Sequence, residues 1–209
     1  MINRLFSLIG AYKFTFIKIL LYEIYYILRG FKGNTINIRK NQKYNSNIPC
    51  PYFFLVKIEK FLKENNLKYF IDLGCGGGRV IYFLNIKYKI NYCGIEYFQE
   101  TYFKCEKLFR NQKNVMILND DFMTFNFLEQ NNDCYFLNDP LKDEEEFNKL
   151  IFKIIEKNKL SNKLVYFILI NVDENKLKIF NKYECIAYLK INTRGLFIYS
   201  NKQKIMDEV

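Results

Sequence analysis

The sequence predicts an α/β fold: an open, doubly wound, mostly parallel sheet of seven strands with helices on both faces, preceded by an N-terminal helical extension. Two observations carry this. From residue 52 onward, short apolar runs alternate with segments whose apolar residues recur at helical spacing, and the runs read as buried strands. No internal repeat interrupts the alternation.

Residues 1–28 are apolar and aromatic but broken by Arg4, Lys13, Lys18 and Glu23, so no stretch approaches the ~20 residues that span a bilayer. A secretory signal is not expected either, because a charge-free apolar core and a small-residue cleavage site are missing. At about 100° per residue, Arg4, Ser7, Thr15, Lys18 and Arg29 share one narrow sector, which describes an amphipathic helix with a basic stripe. Residues 30–51 mix glycine, asparagine, basic residues and proline without periodicity and read as a connecting segment. The extension is therefore 1–51 and the domain 52–209. Helical spacing marks 52–64, and 68–73 is the first strand, ending at glycine. A helix opens around Arg79, followed by a strand at 92–97, a helix over 98–110, and strands at 115–119 and 134–138. The helix over 143–157 places Asp143, Glu144, Glu145 and Glu146 in its first turn, where acids complement the helix dipole. A strand at 163–170, a helical stretch at 173–181 and closing strands near 183–192 and 195–200 complete the set.

A chain of 209 residues buries roughly 70% of its unfolded surface and needs no disulfide or zinc staple. The six cysteines form no C-x-x-C pair and lie mostly in apolar runs, so a reducing, cytoplasmic setting and no metal site are expected. The absence of histidine removes Ser-His-Asp and Cys-His nucleophile systems, His-ligated zinc and any imidazole base. Of the net charge of +10, residues 1–49 carry eight basic residues against Glu23, a balance of +7.

The chemistry concentrates in Ile71-Asp72-Leu73-Gly74-Cys75-Gly76-Gly77-Gly78-Arg79, between a strand and a helix. A glycine-rich turn there lets backbone approach a ligand closely. The dinucleotide fingerprint G-x-G-x-x-G, counted from Gly74, needs glycine where Arg79 stands. The segment instead resembles motif I of the class I S-adenosylmethionine-dependent methyltransferases, with Asp72, Gly74, Gly76 and Gly78 at its defined positions.

That resemblance implies a Rossmann-like sheet with an antiparallel closing strand, S-adenosylmethionine as cofactor, and methyl transfer to a nitrogen or oxygen of a protein, glycan, lipid or small metabolite. Asp72 would hold the cofactor's ammonium, with Gly74, Cys75, Gly76 and Gly78 forming the turn and amides near Gly74 and Gly76 meeting the methionyl group. Glu96, 22 residues after Gly74, would accept from the ribose hydroxyls. Asp121, or its neighbour Asp120, would receive the adenine amino group. Asn138-Asp139-Pro140 resembles the segment with which amino-group methyltransferases orient the acceptor, although Leu141 stands where an aromatic usually follows; Asp139 is the candidate proton acceptor. A reading from another class is a non-catalytic nucleotide-fold module held on a membrane surface. The basic segment 4–43 would then meet anionic lipid on the inner face of the membrane. Nucleic acid is not an expected partner, because these basic residues form no recognised binding motif.

Overall fold

The computed structural model describes residues 17–33, 43–46, 48–127, 132–160, 162–191 and 194–203. The expected strands form as β1 (Tyr69–Leu73), β2 (Asn91–Glu96), β3 (Val115–Asn119), β4 (Cys134–Asn138), β5 (Tyr166–Ile170), β6 (Tyr183–Ile191) and β7 (Arg194–Gln203). They make one sheet in the order β3-β2-β1-β4-β5-β7-β6, parallel from β3 to β5, with β7 antiparallel to both its neighbours. The helices are α1 (17–28), α2 (Tyr52–Glu64), α3 (Arg79–Lys87), α4 (Gln99–Phe109), α5 (Glu144–Leu160) and the short α6 (Glu174–Leu177), which runs into a 3-10 turn.

The central strands are apolar on both sides because both sides are covered. Phe70, Phe136, Ile168 and Ile170 pack with residues of α2, α3 and α4 on one face. Ile71, Leu73, Tyr135, Leu137, Phe167 and Leu169 pack with α5 and α6 on the other. Period-two alternation thus assigns Asp72 to the first face, where it is 2% exposed.

Some boundaries differ from the sequence expectation. Residues 162–165 do not extend β5: Lys163 N–H bonds to Asn158 at the end of α5, and the Val165 N–H donates to the Asn201 side chain instead of a ladder partner. Asp143 lies just ahead of α5, its Oδ1 accepting the Glu146 N–H at 2.9 Å as a cap. The helical stretch expected over 173–181 forms as α6 and the 3-10 turn Lys178–Phe180, capped by Asp173, whose Oδ1 accepts the N–H groups of Asn175 and Lys176.

In α1, Ile19, Tyr22, Glu23 and Tyr26 form the inward stripe, and only Tyr26 is buried. Glu23 accepts the Tyr52 N–H at 2.8 Å and pairs with Arg79 at the start of α3. Lys18 and Arg29 of the expected basic stripe are exposed, whereas Arg4, Ser7 and Thr15 lie outside the described residues. The outer face is apolar rather than polar: Ile17, Leu20, Leu21, Ile24 and Leu28 are all exposed. Among the described residues no helix is long and apolar enough to cross a membrane. Beyond α1, residues 43–46 cross the carboxyl ends of the strands, and Pro51 leads into α2.

Candidate active site

Strand order reverses between β1 and β4, which opens a crevice outside their carboxyl ends, where open α/β sheets bind ligands. The glycine turn fills its floor. Gly74, Gly76 and Gly78 all adopt positive φ, and Gly78 caps α3 at φ +81°. A Cβ on Gly78 would come within 2.6 Å of the Phe109 ring and 2.7 Å of Cys105 Sγ, so only glycine lets α4 close on the turn. The Gly74 and Cys75 N–H groups donate to Ile95 O at 2.9 and 3.0 Å, and the Gly76 N–H to Glu96 Oε2 at 2.9 Å. The amides of Gly74 and Gly76, expected to meet a methionyl group, instead tie the turn to β2.

Two buried charges border one cavity beside this turn, shared with Gly33, Cys50, Gly77 and Asn138. Asp72 Oδ2 has no hydrogen-bond partner among the described residues, and neither has Arg79 Nε. Burial, reinforced by the nearby Glu96 carboxylate, pushes the Asp72 carboxyl well above the usual range. The Arg79 guanidinium lies 3.8 Å over the Tyr52 ring and pairs with Glu23, which fixes its place. A cation next to Asp72 and an anion next to Arg79 would satisfy both groups. Sequence reasoning missed Arg79 because motif I reserves no charge at its position.

Glu96, 5% exposed at the end of β2, is oriented by two amides: Gly76 N–H on Oε2 and Phe98 N–H on Oε1, each at 2.9 Å. It lines a second, adjoining cleft with Tyr97, Phe98, Thr101, Phe122, Asn138, Asp139 and Pro140. Of the two acids after β3, Asp120 is exposed and Asp121 turns toward this cleft. Asp121 Oδ1 accepts from Tyr44 Oη at 2.5 Å and from the Met123 N–H at 2.8 Å, and Oδ2 pairs with Lys43 Nζ at 3.1 Å. Burial raises its pKa, but the Tyr44, Met123 and Lys43 bonds outweigh that and hold the carboxyl below its ordinary value.

At the end of β4, Asn138 is held from both sides: its Nδ2 donates to Ile48 O at 2.7 Å, and its Oδ1 accepts from Asn171 at 2.9 Å. Asp139, the expected proton acceptor, is engaged by two side chains. Lys176 Nζ, on a side chain only 3% exposed, meets its Oδ1 at 2.7 Å, and Asn45 donates to its Oδ2 at 3.1 Å. Pro140 lines the cleft, and its carbonyl accepts the Asn45 N–H at 3.0 Å. Tyr44, Asn45 and Lys176 gave no signal in the sequence because each reaches the site through long-range contacts. Among the described residues no group of three or more His, Cys, Asp or Glu side chains is placed to hold a metal.

The sheet order is that of the fold of the class I S-adenosylmethionine-dependent methyltransferases. No protein-family model and no curated protein matches the sequence. Solved structures do. An RNA methyltransferase from Salinibacter ruber, in complex with S-adenosyl-L-homocysteine, is similar at 14% identity over 77% of this chain and 98% of its own, with a TM-score of 0.57. Magnesium protoporphyrin IX methyltransferase from Synechocystis, with bound cofactor, aligns at 12% identity over 71% of this chain and 77% of its own, TM-score 0.54. The N-methyltransferase NodS from Bradyrhizobium japonicum aligns at 8% identity over 71% and 92%, TM-score 0.54. Their acceptors differ, so the shared fold leaves the acceptor of this chain open.

Proposed function

We propose that the chain is an S-adenosylmethionine-dependent methyltransferase acting on a nitrogen or oxygen nucleophile. The observation that carries this reading is the buried Asp72 Oδ2, without a hydrogen-bond partner among the described residues, on one cavity with Arg79, whose Nε is likewise unbonded while its guanidinium pairs with Glu23. Asp72 suits the ammonium of a methionyl zwitterion and the unbonded Nε of Arg79 its carboxylate, and a desolvated carboxyl without a partner is costly unless a ligand supplies one. Glu96 then stands where ribose hydroxyls lie, and Asp121 with Tyr97 and Phe122 bounds the place for the base.

When bound, the cofactor supplies an already activated methyl group for in-line displacement. What the chain adds is geometry. Asn138, fixed by Ile48 and Asn171, and Asp139, fixed by Lys176 and Asn45, hold the end of β4 rigid at the crevice, where orientation is worth several orders of magnitude in rate. Calorimetric titration with S-adenosylhomocysteine tests the cofactor reading; no heat, beside clear binding of a nicotinamide dinucleotide, refutes it. Radiolabelled methyl donor incubated with fractionated lysate then assigns the acceptor class.

The exposed apolar ridge of α1 favours a surface role for the extension as well. Five large apolar residues at helical spacing, flanked by Lys18, Arg29 and Lys32 in the segment of balance +7, suit the boundary of an anionic bilayer. Full-length protein is expected to sediment with phosphatidylserine vesicles far more than with neutral ones, and Leu20→Glu with Leu28→Glu to abolish that. Equal sedimentation of both proteins rejects the membrane contact.

A further inference from the structure

The acid expected to receive adenine is already engaged. Both oxygens of Asp121 are taken by the segment that precedes α2: Tyr44 donates its hydroxyl to Oδ1 at 2.5 Å, and Lys43 pairs with Oδ2 at 3.1 Å. The Tyr44 ring lies 4.8 Å from Tyr97, 5.4 Å from Phe122 and 6.3 Å from Phe98, centroid to centroid, and the residue is 4% exposed. A flat ring that donates a hydrogen bond to Asp121 from between aromatic walls is what the base of the cofactor would also be. Ring separations this short leave no layer between Tyr44 and its walls for a second ring.

The segment is clasped on either side of that ring. Tyr44 forms an antiparallel bridge with Leu141, the Asn45 N–H donates to Pro140 O at 3.0 Å, and the Lys142 N–H donates to Lys43 O at 3.0 Å. Asn45 Nδ2 reaches the Asp139 carbonyl at 2.7 Å and the Leu141 carbonyl at 3.0 Å. The clasp therefore joins the nucleoside end of the crevice to the acceptor end at β4.

We propose that Tyr44 is an internal ligand of the nucleoside subsite, which adenine must displace from Asp121, so that the strap of residues 43–46 regulates cofactor binding by competition. This rests on the cofactor reading above. Apparent affinity falls by the fraction of molecules whose strap is open, so weakening the strap tightens binding. Removing one hydrogen bond to a charged group moves such an equilibrium by about tenfold.

The test is titration of the full chain with S-adenosylhomocysteine, comparing wild type with Tyr44→Phe, which keeps the ring, and Tyr44→Ala. Hydrogen exchange at the Asn45 and Lys142 amides is followed with and without ligand. Expected are a roughly tenfold lower Kd for Tyr44→Phe, at least as large a drop for Tyr44→Ala, and faster exchange at both amides when ligand is bound. Where Tyr44→Ala does not fold, Tyr44→Phe and the exchange data decide. Unchanged or weaker binding by the variants, or slower exchange on binding, overturns the proposal and leaves the cofactor reading standing, because Tyr44 would then cover the ligand instead of competing with it. Absence of binding by wild type and both variants removes the cofactor reading itself, and this proposal with it.

Discussion

Asp72 is the residue whose burial has no reward inside the protein. A carboxyl whose folded pKa lies above its unfolded value binds protons more tightly when folded. The penalty is therefore absent below the unfolded pKa, near 4, and grows as pH rises toward the folded value. Asp72→Asn is accordingly expected to melt higher than wild type at pH 7, with the difference shrinking as pH is lowered toward 4, in parallel thermal melts. The same substitution should weaken S-adenosylhomocysteine by about 10- to 100-fold while leaving 5′-methylthioadenosine, which lacks the amino acid end, nearly unchanged. Equal weakening of both ligands would place Asp72 elsewhere than at the ammonium. Asp72, the glycines and Glu96 were legible in the sequence because their spacing along β1, the turn and β2 is local. Arg79 and Lys176 were not, because a lysine or arginine in a helix reads as solvated until tertiary packing buries it: Lys176 is 3% exposed and Arg79 7%.

Helix α1 shows the limit of pattern reading in an element. Helical periodicity identified the helix and its basic stripe, but not which of its residues meet the domain. The structure docks α1 through a narrow stripe centred on Tyr26, which meets Tyr52 and Phe83 at ring-centroid distances of 4.9 and 5.0 Å, and turns most of its aliphatic residues outward. Its polar anchor is the Glu23–Arg79 pair, with side-chain exposures of 23% and 9%. Breaking such a pair strands a largely buried guanidinium, so Glu23→Ala is expected to cost roughly 3 kcal/mol, read as a drop of about 6 to 12 °C in Tm. It should also weaken S-adenosylhomocysteine binding, since Arg79 loses the group that holds it over Tyr52; an unchanged Kd would detach α1 from the site. The strands were read to within three residues at either end, because uninterrupted apolar runs bounded by polar residues leave little choice of period. The start of β5 escaped because the side chain of Asn201, 36 residues further on, intercepts the Val165 amide.

In the molecule as a whole, the crevice follows from topology: β1 and β4 are neighbours, and their connections leave in opposite directions. Local pattern supplies alternating strands and helices but not their spatial order, so the position of the crevice came from family resemblance and from the coordinates, not from periodicity. The charge unbalance near the centre of this sheet makes ligand and stability strongly linked. Saturation with S-adenosylhomocysteine at about 100 times its Kd is expected to add about 2.7 kcal/mol and to raise Tm by roughly 5 to 10 °C. A shift confined to the Asp72→Asn variant, and absent in wild type, would contradict the site as drawn. Finally, of the chain's three prolines, Pro140 lies on the wall of the crevice, Pro49 on the neighbouring cavity and Pro51 at the start of α2. Pro49 and Pro51 each lock a backbone torsion, so residues 48–51 enter α2 with little freedom of their own. A departure of Tyr44 from Asp121 therefore starts from an anchored end, and a spin label or fluorophore at Ser46 would register it.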